Sequence, residues 1–170
     1  MKNLSHRRAV AAAFLVATTL GTTLTAAGPA SAEYAGTTEG CTPGYWKNHP
    51  EAWLETPDAP APVYKEKTPL TTISNSFAAY LPDATFGSAL RAKGGSGLKG
   101  AAGNLARAAT ASWLNATVEI AFPYRRNTAG IDGQESLRVL VTRALESRDR
   151  ATILALATTL DDANNLGCPL

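Results

Sequence analysis

The chain contains two cysteines, Cys41 and Cys168, and the second lies close to the C-terminus. In an exported protein, a disulfide between two such cysteines is the default expectation. It would close a loop of more than about 100 residues and stabilise the fold by roughly 5 kcal/mol in the chain-entropy model. A structural zinc site needs about four Cys or His ligands, and only His49 joins the cysteines after residue 32. The chain also lacks a Cys-x-x-Cys redox motif. The pair therefore predicts a domain whose two ends are joined, with no metal.

Residues 1–32 fit a secretory signal peptide. They start with a basic segment, continue with an apolar run over residues 9–27 and end in the small-residue sequence Ala30-Ser31-Ala32. A membrane anchor is the alternative, but the run is rich in threonine and ends in a cleavage pattern. Arg7-Arg8 suggests twin-arginine export, although the residues after it fit a general secretory route better. We expect cleavage after Ala32, a secreted or extracellular location, and no membrane span after signal removal.

Residues 33–170 are expected to form a single helical extracellular domain, since 138 residues can enclose a core. Residues 33–40 would be a mobile lead-in and residues 55–68 a proline-rich connection. Three of the 16 basic residues lie in the leader, so 13 remain against 14 acidic residues, a net charge of −1. No basic run behind the leader exceeds two residues. This charge distribution argues against a nucleic-acid partner.

Apolar residues recur at helical spacing through most of this domain. The predicted helices span about residues 45–54, 69–81, 84–92, 98–117, 132–146 and 150–164. Pro50 would either lie in the first turn of the first helix or divide it into two short pieces. Residues 118–122 alone are β-prone, and one short strand has no partner. We therefore predict an all-α fold, a small helical bundle of four to five helices with its ends joined by one disulfide.

Capping residues set the expected ends of these helices. Thr68, Asp83 and the capping box Asp132–Glu135 are predicted to start three of them. Gly167 stands where a left-handed residue is expected to end the last helix. Asn164-Asn165 would close this helix against the turn at the first cysteine, because amide side chains can satisfy free backbone groups.

The segments at residues 93–100 and 98–117 are rich in glycine and alanine, respectively. A phosphate-binding loop is the functional interpretation of the glycines, but the G-x-x-x-x-G-K-[ST] pattern is absent and no strand precedes them. We interpret the glycines as a flexible entry to the next helix that also permits close approach. The many alanines predict that this next helix is central and closely packed.

The segment from Gly40 to Trp53 carries the candidate binding residues. Its aromatic and hydrogen-bonding side chains suit a polysaccharide, a peptide or a cell-wall polymer, and the candidates are Tyr45, Trp46, Lys47, Asn48, His49 and Trp53. The alternative is that Trp46 and Trp53 are core residues that cover the disulfide, while Lys47 and His49 are solvated.

A catalytic site is difficult to assemble from this sequence. A hydrolase would need His49 as its base, and no G-x-S-x-G motif occurs. Asp161 and Asp162 are adjacent, and neighbours on a helix point about 100° apart, so they cannot readily flank one glycosidic bond. We assign no catalytic residue and no cofactor. The expected function is that of an exported non-catalytic domain with a binding or structural role at or outside the cell envelope. The alternative is a small extracellular hydrolase.

Three segments together resemble a family of exported microbial proteins. They are C-T-P-G-Y-W-K-N-H at residues 41–49, L-x-R-x-x-x-A-x-x-L-N-A at residues 105–116 and A-N-N-x-G-C-P-L at residues 163–170. The family occurs alone or within larger extracellular proteins. The resemblance covers nearly all of the chain behind the leader and implies an extracellular helical domain, but it carries over no catalytic residue. Trp113 stands where a smaller residue is expected.

Overall fold

The computed structural model describes residues 38–54, 62–118, 120–130 and 133–170. The α-helices in these ranges are α1 (Pro43–Asn48), α2 (Phe86–Leu90), α3 (Gly97–Asn115), α4 (Leu137–Glu146) and α5 (Arg150–Asn164). Short 3-10 helices span Pro50–Ala52, Leu70–Thr72 and Asn75–Ala79. Strands are absent from the described ranges, which contain only the isolated bridges Gly40–Gly167 and Pro69–Thr85. The prediction of an all-α fold is confirmed.

The predicted signal peptide at residues 1–32 lies outside the described residues. The same is true of most of the predicted lead-in, residues 33–40, and of the first half of the proline-rich connection, residues 55–68. Within the part of the chain that the structure describes, no helix is both long enough and apolar enough to cross a membrane.

Helix α3 is the centre of the fold. From Ala101 to Asn115, every residue except Asn104 and Arg107 is buried. Helices α1, α2, α4 and α5 all contact α3, and α5 shares the largest contact with it. The small residues of α3 also let the preceding loop approach it, because a Cβ on Gly103 would lie 3.1 Å from the carbonyl oxygen of Lys93. The alanine-rich helix is therefore central, as the sequence predicts.

Trp113 is accommodated on α3 by packing against α4. Its side chain is fully buried, and the guanidinium carbon of Arg138 lies 5.3 Å from the centroid of its ring. This distance is within the range of a cation–π contact. The indole Nε1 has no hydrogen-bond partner among the described residues. The Trp113 ring is thus held by packing and by the cation–π contact with Arg138, and not by a hydrogen bond from its indole N–H.

The prediction of one helix at residues 69–81 is wrong. Two 3-10 helices occupy this range, and extended Ser74 (φ −155°, ψ 133°) separates them. The Ser74 hydroxyl accepts a hydrogen bond from the Ser76 N–H and also pairs with the hydroxyl of Thr142 at 2.8 Å. A serine side chain that bonds to nearby backbone competes with the helical pattern. The apolar spacing still predicted the buried residues, which are Leu70, Ile73 and Phe77.

Two of the predicted caps are wrong in the same region. The hydroxyl of Thr68 accepts a hydrogen bond from the Lys65 N–H and does not cap a helix. Asp83 adopts a positive φ of 61°, whereas an N-cap residue is typically extended. Helix α2 is instead capped by Thr85 in a reciprocal capping box with Ser88, so it begins later than predicted.

Helix α4 also begins later than predicted. Its N-cap is Ser136, whose side chain accepts from the Val139 N–H; Asp132 of the predicted capping box lies outside the described residues. Glu135 forms an ion pair with Arg143 instead. Helix α5 has its predicted bounds, with Asp149 as the N-cap.

The Cys41–Cys168 disulfide is present, with a Cα–Cα distance of 4.4 Å. A hydrogen bond of 2.8 Å from the Gly40 N–H to the Gly167 carbonyl runs beside it. Gly40 packs so closely on the Ala163 carbonyl that a Cβ could not be added without a shift. Gly167 has a φ of 130°, but the C-cap of α5 is Asn165. Gly167 therefore serves the junction of the two chain ends, not the helix end.

Candidate functional site

Helix α1 forms because its first residues satisfy its free backbone groups. The Thr42 hydroxyl accepts from the Tyr45 N–H at 3.1 Å, and Pro43 occupies the first turn, where a missing N–H costs nothing. Pro50 then begins a separate 3-10 helix. Of the two arrangements that the sequence left open, the structure has the two short pieces.

Trp46 and Trp53 lie in the core, with 0% and 1% of their surface exposed. The Trp46 indole donates to Oδ1 of Asn115 at 3.0 Å, and the Trp53 indole donates to the Trp46 carbonyl at 3.0 Å. Trp53 also packs against Phe86. Neither ring is therefore available to a ligand. This arrangement agrees with the alternative interpretation of the sequence, in which Trp46 and Trp53 are core residues.

Asn115 joins α3 to the segment that carries the disulfide. Its Oδ1 accepts from the Cys41 N–H at 2.9 Å as well as from the Trp46 indole. Its Nδ2 donates to the Cys41 carbonyl at 2.9 Å and to Oδ1 of Asn164 at 2.8 Å. The side-chain amide of this fully buried residue therefore uses all four of its hydrogen-bonding positions.

Asn164 extends this network to α5. Its Oδ1 also accepts from the Ser112 hydroxyl at 3.0 Å, and its Nδ2 donates to the Ala108 carbonyl at 3.0 Å. We expected Asn164 to contact the cysteine turn directly. It is linked to that turn instead through Asn115, which sequence reasoning missed. An asparagine between Trp113-Leu114 and Ala116, in the most apolar part of this alanine-rich helix, is the signal that could have found it. The side chain of Asn165, in contrast, donates to the Asp161 carbonyl in the last turn of α5.

The remaining candidates lie on the outer side of the same segment. Lys47 and Asn48 are exposed, and Tyr45 and His49 are partly buried. The Tyr45 and His49 rings stack with centroids 4.3 Å apart, and His49 Nδ1 donates to the Tyr45 carbonyl at 2.9 Å. Burial, and secondarily the charge of Glu51, raises the pKa of Tyr45. The segment is thus divided into a buried tryptophan side and a polar outer side.

A depression of about 300 Å³ lies beside α1, between α3 and α5. We call it the Arg107 pocket, and it is lined by Thr42, Pro43, Gly44, Lys47, Leu90, Arg107, Asp161 and Asn165. A smaller depression of about 130 Å³ shares Arg107 and Asp161 with it and adds Asn104 and Thr158. Of the sequence candidates, only Lys47 reaches the pocket, and sequence reasoning did not single out Arg107.

Arg107 is the unusual residue of this pocket. Its Nε is buried and has no hydrogen-bond partner among the described residues. No described carboxylate forms an ion pair with it. Buried N–H groups are normally paired, so a charged side chain left in this way calls for an explanation.

Two further observations bear on chemistry. The described residues contain no cluster of three or more His, Cys, Asp or Glu side chains that could hold a metal. A larger open depression, of about 650 Å³, lies along α4 and includes Arg138, Thr142 and Glu146. It contains none of the candidate residues, so we place the candidate site at the Arg107 pocket.

Comparison of the chain with protein-family models, with curated proteins and with solved structures gave no match.

Proposed function

We propose that this protein is an exported, non-catalytic domain that binds an extracellular polymer or peptide through the Arg107 pocket. The observation that carries the proposal is that Arg107 lines an open pocket and has no hydrogen-bond or ion-pair partner among the described residues. Lys47 supplies a second cation and Thr42 and Asn165 supply neutral hydrogen-bonding groups in the same pocket. Binding sites commonly combine an apolar surface with a few convergent polar groups.

The disulfide supports the extracellular part of this proposal. Disulfides persist in oxidising compartments, and this one joins the two ends of the described domain. A domain closed in this way would be stabilised outside the cell. The resemblance to a family of exported proteins, which we also propose, points to the same extracellular location.

The hydrogen bonding of His49 supports a non-catalytic role. Its Nδ1 is engaged by a carbonyl of its own helix and its ring is stacked on Tyr45. In a hydrolase, a carboxylate commonly orients the ring of the catalytic histidine. The small extracellular hydrolase therefore has no specific observation in its favour, and the experiment below includes an assay for it.

The experiment compares binding and turnover in the mature, oxidised protein. Cell-wall fractions, soluble polysaccharides and peptides are tested by co-sedimentation and calorimetry, and chromogenic esters and glycosides are tested for hydrolysis. The blocking variant is Gly44→Gln, because Gly44 is exposed and an added Cβ would meet only the Thr42 hydroxyl, at 3.5 Å. Ala155→Gln, at an exposed position of α5 outside the pocket, is the matched control.

We expect binding without turnover, and we expect Gly44→Gln to abolish binding while Ala155→Gln retains it. Turnover that disappears in His49→Ala would overturn the proposal in favour of a hydrolase. If Gly44→Gln still binds the ligand, the binding site lies outside the Arg107 pocket and the proposal is wrong on that point.

A further inference from the structure

The charges of the Arg107 pocket specify the kind of ligand it can take. Two cations, Lys47 and Arg107, and one carboxylate, Asp161, line it. The excess of one positive charge favours a ligand that carries one negative charge. Arginine is the side chain best suited to a carboxylate, because its planar fork of N–H groups matches the two oxygens.

Arg107 has no hydrogen-bond or ion-pair partner among the described residues, which gives this preference a structural reason. Nε itself is buried, whereas the outer nitrogens of the guanidinium are not among the buried unpaired atoms. A negative group could therefore accept charge-assisted hydrogen bonds from these outer nitrogens. Asp161 lines the same pocket but lies too far away for an ion pair with Arg107.

The other lining groups suit a sugar ring. Thr42 and Asn165 on one side, and Asn104 and Thr158 in the smaller depression, offer hydroxyl and amide groups. Leu90 supplies an apolar surface beside them. A volume of about 300 Å³ is at the lower end of small-ligand pockets, which suits one or two residues of a polymer.

We propose that the Arg107 pocket binds a uronic acid residue of an extracellular polysaccharide, with the carboxylate at Arg107 and Lys47. This inference rests on the proposed binding function and specifies its ligand. Asp161 would accept hydrogen bonds from sugar hydroxyls without contributing the main attraction.

The test is calorimetric titration of the mature, oxidised protein with trigalacturonate at low ionic strength. Its methyl ester is the matched ligand control, because it has the same sugar rings without the charges. We expect the acid to bind about tenfold or more tightly than the ester, since charge-assisted hydrogen bonds are lost in the ester. Added salt should weaken binding of the acid, because mobile ions screen exposed charges.

Three pocket variants and one control variant, Lys99→Gln, assign the charges. Arg107→Gln should weaken trigalacturonate binding about tenfold or more. Lys47→Gln should weaken it several-fold, whereas Lys99→Gln, an exposed lysine of α3 outside the pocket, should leave it unchanged. If Arg107→Gln does not fold by circular dichroism, the comparison of Lys47→Gln with Lys99→Gln decides. Asp161→Asn should bind at least as tightly as the wild type, because it removes a like charge.

Several outcomes would overturn the uronic acid assignment. One is equal binding of acid and ester, and another is binding only to a poly(glycerol phosphate) control. A loss of affinity in Asp161→Asn with a gain in Lys47→Gln would mean that the pocket selects a cation. If neither galacturonate binds but a panel ligand does and Gly44→Gln blocks it, this inference fails while the proposed function stands.

Discussion

Replacing Asn115 by leucine should be among the most destabilising single substitutions in this fold. The two side chains have the same number of heavy atoms and the same branching, so the exchange removes hydrogen bonds without opening a cavity, and the larger methyl groups add some crowding. It leaves three buried groups without partners, namely the Cys41 N–H, the Cys41 carbonyl and the Trp46 indole N–H. Asn164 would still be bonded to Ser112.

The magnitude follows from these three groups. A buried polar group that loses its partner costs about 1–3 kcal/mol, so the expected loss is roughly 3–9 kcal/mol before relaxation. The net stability of a small domain is about 5–15 kcal/mol. The variant would therefore lose a large part of its stability, even with the disulfide intact.

Urea unfolding, followed by tryptophan fluorescence and circular dichroism, measures this loss under oxidising conditions. Asn165→Leu is the matched control, since it makes the same exchange at an exposed position and removes one bond to Asp161. Ser112→Ala should be intermediate, at about 1 kcal/mol, because it removes one bond from Asn164. A loss below about 1 kcal/mol in Asn115→Leu would refute the reasoning that this amide is essential to the closure of the domain.

Three further predictions concern the disulfide, acid stability and export. Cys168→Ser should cost on the order of 2–5 kcal/mol in urea unfolding; equal stability of the oxidised wild type and the variant would contradict this. Hydrogen bonds from Thr152 lower the pKa of Asp149, so the unfolded chain binds this proton first and stability should fall as the pH drops below about 4. Asp149→Asn should show less of this acid loss in thermal melts; an unchanged pH profile would exclude the contribution. Intact mass spectrometry of secreted protein should give a chain that begins at Glu33, and a retained leader would disprove export with cleavage.

The sequence predicted those features that depend on local chemistry or on counting. Helix α5 was predicted with its bounds, because its apolar spacing was regular and the break before Arg150 was clear. The disulfide was predicted from two cysteines and from a predicted export signal. The range 69–81 was misassigned because an i, i+3 apolar spacing fits both an α-helix and a 3-10 helix, and Ser74 decides between them only through its side-chain bonds.

The candidate site was predictable only in part. The GCTPGYWKNHPEAW segment was identified by its composition, yet the same composition serves both a core and a binding surface. Which side chains point inward depends on Asn115, which is distant in sequence and has no partner within its own helix. The Arg107 pocket depends on four segments that only tertiary packing brings together, so spacing along the chain could not reveal it.

The three segments on which we base the proposed family resemblance meet in two places in the structure. Cys41 and Trp46 of the first, Asn115 of the second and Asn164 of the third form the buried amide network. Residues on their outer side line the Arg107 pocket; each segment contributes one of Lys47, Arg107 and Asn165.

The buried network explains why each segment has the residues that point into the core. It does not explain why a lysine or an arginine lies on the outer side. A purely structural role would leave Lys47 and Arg107 replaceable, whereas a binding role makes their charges necessary. The comparison of stability with ligand affinity in Lys47→Gln therefore separates the two, since only a binding role predicts full stability together with weakened binding.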